Sequence, residues 1–117
     1  EVEPEKITFN AMDEALLKRA VAIVEKNMDN SEYSVDELSD DMAMSRATLF
    51  RKMRSVIGMS PTDFIRNTRL KRAAQLITEG RLSVTEIAYS VGYSSPGHFT
   101  KSFKKEFGVL PTQYHKT

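Results

Sequence analysis

Residues that could support catalysis or hold a metal are few in this chain. Its two histidines, His98 and His115, lie 17 positions apart, and there is no cysteine to complete a zinc site. The sequence contains no glycine-rich phosphate loop and no arrangement typical of a serine nucleophile with its base. The adjacent acids Asp40 and Asp41 are typical of a solvated helix face. The sequence therefore predicts no enzyme, no metal site and no cofactor.

The basic residues indicate a different chemistry, because their distribution is strongly uneven. The formal net charge is only +1. Residues 1–44, however, contain 12 acids and 4 bases (net −8), whereas residues 45–117 contain 4 acids and 13 bases (net +9). A concentration of guanidinium and ammonium groups is typical of proteins that bind a polyanion. On charge alone, the alternative is an ordinary solvated surface.

Two parts of the chain are copies of one another. The segment SVDEL at 34–38 matches SVTEI at 83–87 with a shift of 49. From Arg46 onward a shift of 50 fits better, so we expect one extra residue in the second copy's turn. Large apolar residues recur in register: Leu49, Met53 and Ile57 correspond to Phe99, Phe103 and Phe107. The pattern predicts a duplicated module.

Helical periodicity recurs along the chain and no strand pattern is found, so we predict an all-α fold. A first helix is expected to begin at Asp13 and reach Met28. Each repeat then reads as a helix, a tight turn and a second helix. Candidate N-caps are serines, which are Ser34, Ser45, Ser83 and either Ser94 or Ser95.

A long helix is predicted between the copies. Ser60 is a suitable N-cap, Pro61 suits the first turn, Asp63 occupies a capping-box position, and Gly80 suits the end. Its apolar stripe consists of Phe64, Ile65, Thr68, Leu70, Ala73, Ala74 and Ile77. Its basic residues are expected to be solvated or close to phosphates, and these are Arg66, Arg69, Lys71 and Arg72.

The predicted organisation follows from these elements. Residues 1–12 are expected to be a lead-in or linker, and the start at Glu1 rather than methionine suggests a piece of a longer protein. Residues 13–117 would form one domain, with its parts at these positions: a first helix-turn-helix unit at about 34–58, a bridging helix at 60–80 and a second unit at about 83–108.

A helix-turn-helix unit presents its second helix to the DNA major groove. At 100° per residue, the side opposite the apolar stripe of the first copy contains Ala47, Arg51 and Arg54, with Thr48 and Phe50 beside them. The corresponding face of the second copy contains Gly97, Lys101 and Lys104, with His98 and Thr100 beside them. Both faces are basic, and each starts with a small residue that permits close approach.

The length of the predicted bridging helix would set the distance between these two faces. Its 19 residues would measure roughly 28 Å. Successive major grooves on one face of a duplex lie about 34 Å apart. We therefore expect the two copies to read adjacent major-groove segments without dimerisation.

The quoted repeats, the segment RLKRAAQLI, the segment EIAYSVGYSSPGHFTKSFKKEFG and the closing LPTQY resemble the DNA-binding domain of the AraC/XylS family of bacterial transcription regulators. The first half is most similar to the output domain of Bacteroides-type hybrid two-component regulators. The resemblance implies two helix-turn-helix subdomains of homeodomain-like, tandem type joined by a long central helix, and sequence-specific binding of double-stranded promoter DNA.

The resemblance also implies roles for single residues. In the first unit the base readers would be Ala47, Phe50 and Arg51, with Arg46, Thr48 and Arg54 nearby. In the second unit they would be Gly97, His98 and Lys101, with Thr100 and Lys104 contacting sugar or phosphate. Phe50 departs from the polar residues common in relatives and would meet a thymine methyl group. Gly97 offers no side chain, so the second unit would position the domain on the DNA more than it would distinguish between bases.

The same resemblance implies activation of transcription, contact with RNA polymerase, and sensor and receiver domains upstream in the full-length chain. We expect a cytoplasmic location for this portion and no small-molecule pocket in it; missing domains could anchor the whole protein in a membrane. The alternative function is a protein–protein interaction module whose basic face binds an acidic partner.

Overall fold

The computed structural model describes residues 10–114, and its regular elements are all helical, as the periodicity predicted. No strand occurs within this range. The helices are α1 (Ala11–Lys26), α2 (Val35–Asp41), α3 (Arg46–Ile57), α4 (Pro61–Glu79), α5 (Val84–Ser90) and α6 (Pro96–Phe107), followed by a 3₁₀ helix at Pro111–Gln113.

The first helix begins two residues before the predicted start at Asp13. Asn10 is its N-cap, and its side chain accepts a hydrogen bond of 2.9 Å from the backbone N–H of Asp13. The helix also ends at Lys26, short of the predicted Met28, because the Asn27 side chain donates to the carbonyl of Ile23 and closes the last turn. The predicted lead-in over residues 1–12 lies mostly outside the described residues.

The duplication predicted from the sequence is present in the backbone. α2 and α5 each have seven residues, and α3 and α6 each have twelve. Both short helices begin with a complete capping box, Ser34 with Glu37 and Ser83 with Glu86. The second turn contains the expected extra residue, which moves the N-cap of α6 to Ser95 rather than Ser94.

Helix α4 packs against helices of both copies, so a single core serves the whole molecule. Its buried apolar residues include Phe64, Ile65, Leu70 and Ala73, as predicted, and also Leu76, which the predicted stripe omitted. Thr68 and Ile77 are only half-buried. Ser60 and Gly80 cap the two ends as expected. Because both units share one core, α4 is an integral part of the domain rather than a linker between two independent units.

Two predictions about α4 were wrong. Asp63 does not complete a capping box: its backbone N–H donates to Ser60 Oγ, while its carboxylate forms an ion pair of 2.8 Å with Arg66. Arg69 is not solvated. It is only 6% exposed, and its guanidinium donates to three main-chain carbonyls.

The last described element is a 3₁₀ helix of three residues, which has no side-chain cap of the kind that Ser60 gives α4. Leu110 precedes the 3₁₀ helix, and the only capping contact it makes is from its own backbone N–H to Gln113 Oε1, at 3.3 Å. Tyr114 nevertheless packs edge-on against Phe103 and Phe107, which fastens the chain end to α6. None of the helices in residues 10–114 combines the length and the apolar character needed to span a bilayer.

Candidate nucleic-acid interface

Burial of one side of α3 determines which side faces outward. Leu49 and Met53 are buried in the core, one helical turn apart. Ala47, Arg51 and Arg54 lie on the other side of the helix and are exposed. The wheel prediction for these five residues is therefore confirmed as a statement about orientation.

The start of α3 is held by local hydrogen bonds. Ser45 Oγ accepts from the backbone N–H of Thr48 at 3.1 Å and donates to Thr48 Oγ1 at 2.9 Å. Thr48 is consequently half-buried, and its hydroxyl already has a partner. Phe50 is also half-buried and packs against the core. Only part of its ring is therefore available to another molecule.

Arg46 is oriented from two sides. Its Nη1 lies 2.7 Å from Asp36 Oδ1 on α2, and its guanidinium carbon lies 5.3 Å from the centroid of the Phe50 ring. Its side chain remains 56% exposed, so the ion pair adds little stability. The pair instead holds the guanidinium at the edge of the exposed face, with other N–H groups free to donate. Sequence reasoning did not identify Asp36 as its partner.

Helix α6 presents the equivalent face in the second unit. Phe99 and Phe103 are fully buried, whereas Phe107 is half-buried and packs against the core. The opposite side of the helix is exposed and consists of Gly97, Lys101 and Lys104, with Thr100 half-buried beside them. Both copies therefore display cations on the outer side of their second helix.

His98 is exposed at the start of α6, but its ring is not free of contacts. It packs edge-on against the buried Tyr93, with the ring centroids 5.3 Å apart, and Tyr93 packs in the same way on Phe99. Its backbone N–H donates to the N-cap Ser95. The ring is thus positioned by an aromatic row that continues into the core, with its outer edge accessible.

The cations of these two faces are not engaged in ion pairs, apart from Arg46. Among residues 10–114 the ion pairs are Arg46 with Asp36, Arg66 with Asp63, and Arg72 with Glu79. Arg51, Arg54, Lys101 and Lys104 belong to none of them. A set of exposed cations without intramolecular partners is suited to contact the phosphates and base edges of a nucleic acid.

Other kinds of site have little support in the described residues. Residues 10–114 contain no group of three or more histidine, aspartate or glutamate side chains arranged to hold a metal ion. A cleft of about 360 Å³ between α1 and α4 is lined by apolar side chains such as Leu17, Val21 and Phe64. Its lining also includes Glu25, Lys71 and Arg72, and none of these forms an ion pair with another of them.

Sequence reasoning missed the role of Arg69, although a signal was present. Arg69 lies four residues after Ile65 and four before Ala73, so it occupies the apolar stripe of α4. A charged residue at such a position requires internal hydrogen-bond partners. The spacing could have identified Arg69 as buried, but not the carbonyls it would meet.

Two helix-turn-helix units that share a core, each with a cationic second helix, define a DNA-binding domain of the tandem helix-turn-helix class. The family model described as Helix-turn-helix domain matches residues 38–117. The chain belongs to the AraC family of these domains and is the DNA-binding domain of a transcription regulator.

Among the curated relatives, the HTH-type transcriptional regulator MtrA from Neisseria gonorrhoeae is 39% identical over 101 residues, covering 85% of this chain and 34% of that protein. The chain is 42% identical over 113 residues to a protein named Histidine kinase P4 from Formosa agariphila, covering 97% of this chain. It spans 8% of that kinase's length, and no more than 38% of seven other curated relatives that it matches.

Solved structures agree as well. One is a transcriptional regulator from Chromobacterium violaceum described as containing an AraC-type DNA-binding domain; it has a TM-score of 0.79 and 29% identity, covering 89% of this chain and 92% of that one. Another is the DNA-binding domain of AdpA, a global transcriptional factor, in complex with a target DNA. It has a TM-score of 0.75 and 28% identity, covering 84% and 87% of the two chains.

Proposed function

We propose that this domain reads two adjacent major-groove segments of promoter DNA, one with α3 and one with α6, as the output domain of a transcription activator. The supporting observation is the pair of exposed cationic faces on corresponding helices of two copies that pack on the same α4. The molecule measures 40 × 39 × 21 Å, which is broad enough to cover one helical turn of duplex, about 34 Å. In this proposal the functional unit is residues 13–117, and residues 1–12 connect it to the preceding domains.

The proposed residue roles follow from exposure and existing contacts. Arg51 is exposed and unpaired on α3, so it is assigned to a guanine edge, where a bidentate contact discriminates by about 1–3 kcal/mol. Ala47 allows close approach, and the accessible part of Phe50 suits a thymine methyl group. Arg46, Thr48 and Arg54 are assigned to the sugar–phosphate backbone around this contact.

In the second unit the proposed contacts position the domain on the DNA more than they distinguish between bases. Gly97 permits close approach of the helix, and the outer edge of His98 is assigned to a base edge. Lys101 reaches a base or a phosphate, while Lys104 and Thr100 contact the backbone. Ammonium groups on flexible stems bind phosphates as point charges and discriminate less between bases than arginine does.

We also propose a role for this domain within the full-length protein. The relative named as a histidine kinase is far longer than this chain, which supports sensor and receiver domains upstream of the linker. Activation would require a contact with RNA polymerase while the domain is bound to the promoter. The location assigned to this portion is the cytoplasm, where promoter DNA and polymerase are accessible to a bacterial regulator.

Selection of bound sequences from a random duplex library tests the DNA-reading proposal. The expected result is a site with two conserved segments about one helical turn apart. Affinity for that site should fall steeply with salt, because phosphate contacts release counterions. Enrichment of a single short segment would contradict two-groove reading. Absence of any enrichment and of any salt-dependent affinity for duplex, together with binding to an acidic protein, would favour the interaction-module alternative.

A further inference from the structure

The guanidinium of Arg69 lies between the segment that joins α1 to α2 and the turn of the second helix-turn-helix unit. Its Nη1 donates to the carbonyl of Met28 at 3.2 Å and to that of Val91 at 2.9 Å, and its Nη2 donates to the carbonyl of Asn30 at 2.9 Å. Met28 and Asn30 follow α1 in the first half of the chain, whereas Val91 ends α5 in the second unit. One side chain of the bridging helix therefore joins the two halves.

These contacts fix the relative position of the segments that Arg69 joins. Arg69 is 6% exposed, and its hydrogen-bond partners in residues 10–114 are all neutral carbonyls. Burial lowers the pKa of the Arg69 guanidinium, but arginine remains protonated at neutral pH. The planar group presents its donors in a rigid fork, so all three bonds form together only when the two halves have one relative orientation.

The turn of the second unit is shaped to admit this side chain. Gly92 has a φ of +91°, and a Cβ at that position would lie 1.3 Å from Arg69 Nη1 and 2.4 Å from the carbonyl oxygen of Met28. The corresponding turn residue of the first unit is Ala43, which adopts a φ of +57° and is exposed. This turn thus tolerates a methyl group where nothing packs on it. Gly92 is required by the close approach between the units as well as by its backbone conformation.

We propose that Arg69, with the close approach at Gly92, sets the relative orientation of α3 and α6, and is therefore a positioning residue for binding two DNA segments at once. The inference rests on the two-groove function proposed above. Linked binding modules gain affinity only when their geometry permits both to engage together. Arg69 is too deeply buried to contact phosphate itself, so its effect on DNA passes through the arrangement of the two units.

The test compares a duplex carrying both selected segments with a duplex in which the α6 segment is scrambled. Arg69→Met should lower affinity for the two-segment duplex by about 10- to 100-fold, because simultaneous engagement is impaired. Affinity for the single-segment duplex should change less than about twofold, since α3 and its local contacts are untouched. Arg66→Met is the matched control. It removes the same charge from the same helix, but its guanidinium pairs with Asp63 at the surface.

Two further variants separate orientation from folding. Arg69→Lys retains the charge but cannot reach the three carbonyls with one ammonium group, so it should restore only part of the two-segment affinity. Gly92→Ala should reproduce the loss seen with Arg69→Met while Arg69 itself is present. Helical content and the unfolding midpoint are measured for every variant.

Each outcome has a distinct meaning. Equal losses on the two duplexes, or a loss for Arg69→Met no larger than for Arg66→Met, would overturn the positioning role and leave the two-groove function intact. Failure of both Arg69 variants to fold would assign the residue a purely structural role and also overturn the inference. Equal affinity of the unaltered protein for the two duplexes would instead overturn the two-groove function.

Discussion

At the scale of single residues, Arg51 and Lys104 are both exposed cations on corresponding faces, yet they suit different parts of a duplex. A guanidinium matches the two acceptors of a guanine edge, whereas an ammonium matches any phosphate. Arg51 lies on α3 one turn after Ala47, at a point where the helix can approach the groove closely. Lys104 lies towards the end of α6, away from the small residue at its start.

Arg51→Ala is expected to reduce affinity for the selected site by about 1–3 kcal/mol and to relax preference at one base pair. The reason is loss of a bidentate contact that the wrong base cannot replace. A repeat of the duplex selection with the variant measures both effects. An unchanged base preference would remove Arg51 from the base-reading residues; Lys52→Ala, a neighbouring exposed cation off the predicted face, is the control.

Lys104→Ala is expected to weaken binding to all sequences about equally and to reduce the salt slope by about one. An ammonium that neutralises a phosphate releases counterions without sensing the base. Fluorescence anisotropy with cognate and unrelated duplexes across a salt series measures this. A loss confined to one sequence would show that Lys104 reads bases and that its assignment to the backbone is wrong.

At the scale of helices, serine caps determine where α3 and α6 begin, and they provide acceptors for N–H groups of the first turn. The N-cap of α6 is Ser95, whose Oγ accepts from the backbone N–H of His98 at 3.2 Å. The neighbouring Ser94 is exposed and makes no capping contact among the described residues. Adjacent serines therefore offer a comparison in which only one performs the capping role.

Ser95→Ala is expected to lower the free energy of unfolding by about 1 kcal/mol, since it leaves a helix donor without its partner. Ser94→Ala should change it by less than about 0.5 kcal/mol, as exposed substitutions usually do. Chemical denaturation followed by circular dichroism gives both values. The reverse order of effects would place the cap at Ser94 and contradict the assignment of Ser95.

At the scale of the whole molecule, the common core makes the two units one rigid reader. Helix α4 contributes buried residues along its length and packs directly against each of the other five α-helices. In the proposed binding mode, this shared core fixes the distance between α3 and α6. Two domains on a flexible linker would instead accept several spacings of their segments.

Insertions between the two selected DNA segments test this rigidity. Five added base pairs turn the second segment to the far side of the duplex, and ten restore its face but move it by about 34 Å. Both insertions are expected to reduce affinity to that of a single segment, because α4 cannot lengthen. Recovery of affinity at ten base pairs, measured by gel shift, would contradict a rigid arrangement of the units.

The amino-acid sequence by itself determined the helices, their caps, the duplication and the outward faces of α3 and α6. These depend on residues close together in the chain, where periodicity and capping chemistry are decisive. Asp36 beside Arg46, the burial of Arg69 and the close approach at Gly92 were decided only by the tertiary structure. Those contacts join residues 10 to 64 positions apart. The Asp36–Arg46 contact depends on how α2 packs against α3, whereas the contacts of Arg69 and Gly92 depend on how the second unit and the segment after α1 pack against α4.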